Sequence, residues 1–128
     1  MIVSVYAALL SFVYVALSIR TLSLRRRLKI GIGDAGNEQM LRAIRVHANF
    51  SEYVPIALIL ALLIELANSH WAISHFVCAT LLMGRCIHAF GVSNRHENYT
   101  FRVTGMALTF TSICSSALVL LVDALLFV

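Results

Sequence analysis

Two stretches of this chain carry almost nothing that water would hold. Met1 to Ile19 contain no ionisable side chain apart from Tyr6 and Tyr14, and Val103 to Val122 run for twenty residues without a charge. A helix that crosses roughly 30 Å of hydrocarbon needs about 20 such residues. Two further apolar runs follow the same logic. Trp71 to Gly84 continues into Cys86 and Ile87, interrupted by His75. Tyr53 to Ile64 is too short alone and spans only if its helix begins earlier and carries polar residues into the membrane. The reading is a single all-α domain over residues 1–128, an integral membrane four-helix bundle with helices over 2–28, 38–67, 71–91 and 101–127. Composition agrees. At 60% hydrophobic and 12% charged, with a mean hydropathy of +0.88, 128 residues hold more apolar surface than one core could hide from water. An ordinary soluble domain, a disordered chain and a disulfide-rich secreted module are excluded.

The ten basic residues fix an orientation. Arg20, Arg25, Arg26, Arg27, Lys29, Arg42 and Arg45 flank the first connection, and Arg85, Arg95 and Arg102 flank the third. The second connection (Asn68, Ser69, His70) and both termini carry none. By the positive-inside rule the basic loops are expected in the cytoplasm, with N and C termini on the non-cytoplasmic side. The net charge of +4 is thereby explained without a nucleic-acid partner.

Other signals are excluded one by one. The first span has no basic residues before it, so it does not read as a signal peptide. Cys78, Cys86 and Cys114 lie inside spans without metal-ligand spacing, and no metal is expected. The run Gly31 to Gly36 lacks the ending of a phosphate loop and reads as a turn. Asn37 is a good N-cap, with Glu38 in the first turn. Small residues repeat along the first span (Ser4, Ser11, Ser18) and the fourth (Gly105, Thr109, Ser112, Ser116), as expected of closely packed helices in lipid.

The chemistry sits at the start of the second helix. At about 100° per residue, Arg42, Arg45, Asn49, Glu52 and Tyr53 fall within roughly 100° of arc, while His47 points elsewhere. Structural ion pairing accounts for one intramembrane carboxylate such as Glu52, but five polar groups on one stripe exceed what packing asks for. Pro55 follows and removes a backbone hydrogen bond beside them. Arginines at the boundary suit carboxylates or phosphates, a deeper carboxylate suits an ammonium, and Asn suits an amide. Glutathione has that profile.

The run Arg42-x-x-Arg45-x-His47-x-Asn49-x-x-Glu52-Tyr53-x-Pro55 resembles the second-helix signature of the MAPEG family, the membrane-associated proteins in eicosanoid and glutathione metabolism. The lead-in Gly33-Asp34-Ala35-Gly36-Asn37 and the run Gly84-Arg85-x-x-His88 look like its bacterial branch, near the microsomal glutathione transferases. The resemblance implies a homotrimer, with glutathione as co-substrate bound between neighbours near the cytoplasmic face. It places Arg45, Asn49, Glu52 and Tyr53 against the tripeptide, adds Arg25 from the first helix and Arg85 from the third, and makes Arg102 the arginine that faces the sulfur. His88 stands where family members often carry a tyrosine, and a second such position falls near Val92. His88 is either a donor to sulfur or a polar helix-end residue among headgroups, and Tyr99 either a second donor or an interfacial anchor.

Three functions follow from this reading. The first is a glutathione transferase or peroxidase, surrounded by membrane lipids and acting on small lipophilic electrophiles that arrive from the lipid side, with Arg102 and His88 at the sulfur. The second is a glutathione- or lipid-binding protein without catalysis. The third is a small four-span transporter, for which Glu52 lies too near the cytoplasmic side.

Overall fold

The computed structural model describes residues 1–67, 70–93 and 99–126. Four helices follow one another: α1 (Ile2–Leu28), α2 (Glu38–Leu66), α3 (Trp71–Ser93) and α4 (Tyr99–Leu126). Each is long and apolar enough to cross a membrane. The expected boundaries hold within two residues; Asn68, Ser69, Arg95 and the expected helix end at 127 lie outside the described residues.

Local chemistry explains the boundaries. Asn37 Oδ1 accepts from the Met40 N–H at 3.0 Å, so α2 opens on the N-cap that its sequence offers. The end of α1 is closed by Lys29 in the left-handed region (φ 54°), with Ile30 N–H donating to Arg25 O at 3.0 Å. Arg25, Arg26 and Arg27 stand in that last turn, where cations complement the helix dipole. The connection to α2 then turns through Gly33 and Gly36, both at positive φ.

The helices alternate in direction. Arg20 near the end of α1 donates to Ser93 at the end of α3, while the first backbone N–H groups of α1 donate to Glu65 at the end of α2. The basic residues of the described chain therefore gather at one end of the bundle. Helices α2 and α3 form its middle, and among the described residues the backbones of α1 and α4 stay apart. Apolar layers run along the axis, from Val3, Ala61, Ile64 and Val77 at one end to Leu10, Phe50, Val54 and Leu81 in the centre.

The seam between α3 and α4 is the closest in the molecule. A Cβ added at Gly105 would come within 2.6 Å of both the backbone N and the Cβ of His88, and one at Gly91 within 2.6 Å of the Phe101 Cβ. Thr109, Ser112 and Ser116 continue the stripe and are buried, and Ser112 Oγ donates to Val77 O at 2.7 Å. Small residues thus let two backbones touch, as expected for the fourth span. The serines of the first span do otherwise. Ser4 and Ser11 face outward, and their hydroxyls return to the carbonyls of Met1 and Ala7. That expected seam is no packing contact within this chain; only Ser18 meets a neighbour, His47 of α2 at 2.9 Å.

Candidate functional site

The first three groups of the polar stripe of α2 line a cavity of about 270 Å³ between α2, α3 and α4, at the basic end. From α2 come Arg42, Arg45 and Asn49, preceded by Glu38 and Leu41 on the same helical face. His88 and Val92 supply the α3 wall, and Arg102 closes it from the first turn of α4. Four residues singled out in the sequence, Arg45, Asn49, His88 and Arg102, are thereby brought together from three helices.

Behind this wall lies Arg85. Its side chain is 1% exposed, and its Nη2 donates to Asn49 Oδ1 at 2.8 Å. Among the described residues its Nε and Nη1 have no hydrogen-bond partner. Arg85 therefore meets the cavity through Asn49. With Oδ1 occupied, the carboxamide has its Nδ2 left to offer a ligand, which makes Asn49 a donor there.

His88 is buried because Gly105 allows α4 against it; the two glycines of the seam on α3, Gly84 and Gly91, flank it on either side. Arg102 sits with its guanidinium carbon 5.8 Å from the centroid of the exposed Tyr99 ring, within cation–π range. Tyr99 itself does not line the cavity and holds the arginine from outside.

The remaining expected residues are placed elsewhere. Glu52 is exposed on α2, one turn beyond Asn49. Tyr53 is half-buried, its ring edge-on to Phe110 at 5.6 Å. Arg25 turns back on the connection after α1, donating to Gly33 O at 3.0 Å and Gly31 O at 3.3 Å. His47 packs on α1, stacked against Tyr14 at 4.9 Å, which agrees with its place off the stripe. Val92 lies where the resemblance expects a second tyrosine, while Glu38 and Leu41 are wall residues that the sequence reading left out of the site. The signal for Glu38 was present, since it lies four residues before Arg42, one helical turn along the same face.

Three guanidiniums, one carboxylate and an amide donor around a small cavity suit an anionic ligand that also needs hydrogen bonds. The sequence model of the MAPEG family matches residues 3–122. The inner membrane protein YecN of Escherichia coli, K12 strain, is 31% identical over 113 residues, covering 88% of this chain and 85% of that protein. YecN of a second E. coli strain matches to the same extent. No solved structure gives a significant match.

Proposed function

The chain belongs to the MAPEG family, and from that membership and the arginine-lined cavity we propose that it is a membrane enzyme that binds glutathione and activates it as the thiolate for attack on lipophilic electrophiles. The observation that carries this reading is the convergence of Arg45, Asn49, His88 and Arg102 on one cavity from α2, α3 and α4.

Each group has a task that its chemistry supports. Arg45, with Arg42 beside it, grips a glutathione carboxylate, for which the guanidinium fork is matched in shape. Asn49, held by Arg85, donates from Nδ2 to a peptide carbonyl. Arg102 faces the sulfur. A free thiol titrates near 8.5, and only its anion attacks electrophiles. A guanidinium held against sulfur in a partly dry site favours that anion, each unit of lowering being worth about 1.36 kcal/mol. Arginine stays protonated and takes no proton itself, so the thiol proton leaves to water at the cavity mouth. The thiolate then forms the new carbon–sulfur bond, expelling the electrophile's leaving group or adding to an activated double bond that takes up a proton from water. On a peroxide it breaks the O–O bond, releasing the alcohol and a sulfenic acid that a second glutathione converts to the disulfide and water. Either substrate reaches it from the lipid side.

The cavity of one chain is small for a tripeptide, since sites for ligands of that size run to about 300–1,000 Å³. Glu52, Tyr53 and Arg25 lie beyond its walls. We read them as the part of the site that closes when a second copy packs alongside, in the homotrimer that the family resemblance implies. The basic end is placed in the cytoplasm of a bacterial inner membrane, where glutathione is available.

The test is ultraviolet thiolate absorbance, recorded without oxygen on detergent-purified protein titrated with glutathione at neutral pH. Thiolate formed by the wild type and lost in Arg102→Ala is the expected result, with Arg45→Ala losing binding itself. Binding without thiolate would leave a glutathione-binding protein that does no chemistry. No binding at all would end the glutathione reading.

A further inference from the structure

A second and larger cavity, of about 440 Å³, opens at the basic end between the last turns of α1, the start of α2 and the end of α3. Arg20, Arg42, Gln39 and Ser93 line it, with the backbone at Gly36 and Asn37 at its edge. A hollow of about 290 Å³ continues from it along α1, sharing Arg20 and Gln39 and adding Arg27. Arg20 and Arg27 lie two helical turns apart on one face of α1, so both address the same space.

Among the described residues, the hydrogen-bond partners of these two arginines are neutral. Arg20 donates from Nη1 to Ser93 Oγ and from Nη2 to Ser93 O at 3.3 Å, and Arg27 donates to Gln39 Oε1 at 3.1 Å. A half-buried guanidinium at the edge of the hydrocarbon is costly when only neutral acceptors face it, and an anion removes that cost. Glu38 also lines the larger cavity, on the wall that it and Arg42 share with the first one. Among the described lining residues, three guanidiniums (Arg20, Arg27, Arg42) stand against one carboxylate (Glu38), a net charge of +2. With Oε1 engaged by Arg27, Gln39 has its Nε2 left to donate.

We propose that this cavity is a second binding site, one that takes the anionic phosphate group of a membrane lipid or of a small soluble phosphate ester. Phosphate presents oxygens in several directions at once, which suits guanidiniums arriving from α1 and α2 together. The headgroup level is also where the basic end of the bundle lies. The two cavities share Glu38 and Arg42, but Arg20, Arg27 and Ser93 line only the second and its continuation, so variants at Arg20 and Arg27 test this inference separately from the glutathione reading.

The experiment follows thermal unfolding of the detergent-purified chain against glycerol phosphate, and in a parallel arm against phosphatidylglycerol or phosphatidylcholine in mixed micelles. Arg20→Gln and Arg27→Gln are the site variants; Arg26→Gln, exposed and outside both hollows, is the control. The expected result is a saturable rise in the unfolding midpoint that needs at least about tenfold more probe in the site variants and the same amount in Arg26→Gln. A response to phosphatidylglycerol alone identifies a lipid headgroup, and a response to glycerol phosphate as well identifies the phosphate group itself. If Arg20→Gln does not fold, Arg27→Gln carries the comparison. An equal loss in Arg26→Gln, an equal shift from sodium acetate at matched ionic strength, or no saturable response to either probe would overturn the proposal.

Discussion

Arg85 Nη2 donates to Asn49 Oδ1 at 2.8 Å, joining a buried guanidinium on α3 to an amide that lines the cavity from α2. The bond decides which end of the amide a ligand meets. Asn49→Asp keeps an acceptor for Arg85 and turns the bond into an ion pair, but removes the donor from the cavity. The variant is expected to fold with an unfolding midpoint no lower than wild type, while glutathione binding by equilibrium dialysis weakens at least about tenfold. Arg85→Leu, by contrast, is expected to lose both stability and binding.

His88 stands where the family resemblance expects a tyrosine. His88→Tyr keeps a donor at the cavity and is expected to retain thiolate formation, whereas His88→Phe, of similar bulk, is expected to reduce it by about tenfold or more. Equal thiolate signals from the two variants would make His88 a packing residue.

Gly105→Ala places a methyl group within 2.6 Å of the His88 backbone, which a rigid helix cannot give way to. The expected cost is about 1–3 kcal/mol, read by unfolding in rising denaturing detergent. Gly31→Ala, with open space around it, is expected to be neutral in the same assay.

Glu65 accepts from the backbone N–H groups of Ile2 and Val3, the latter at 3.1 Å, and so caps α1 from the far end of α2. Glu65→Leu leaves both donors without their acceptor and is expected to cost about 0.5–2 kcal/mol. Glu65→Gln, which keeps one carbonyl acceptor, is expected to cost less.

The helices were legible because apolar length is a strong signal in lipid, and the second-helix stripe because polar groups there are few enough to be counted. Asn37 and the buried run from Gly105 to Ser116 followed from local rules alone. The serines of α1 could serve within one chain or between several, and spacing does not say which; Ser4 and Ser11 face outward and bond to their own helix, so they make no seam within this chain. The site was half legible. Arg45 and Asn49 share a helix and could be placed by angle, whereas their meeting with His88 and Arg102 depends on how α3 and α4 cross. Arg25 shows the limit, since its carbonyl partners at Gly31 and Gly33 come from a turn whose path no periodicity describes.

The contact of α3 with α4 also sets the mechanics of the cavity. Backbones that close cannot slide or separate without losing their fit, so the wall carrying His88 and the wall carrying Arg102 travel as one plate. The opposite wall belongs to α2, whose ladder lacks a rung at Pro55, six residues past Asn49. A widening that admits a ligand is therefore expected to come from α2 flexing about that missing rung, a hinge with one moving leaf and one fixed. A label pair spanning Arg45 and Arg102 would lengthen as the cavity opens, and a pair spanning His88 and Arg102 would not.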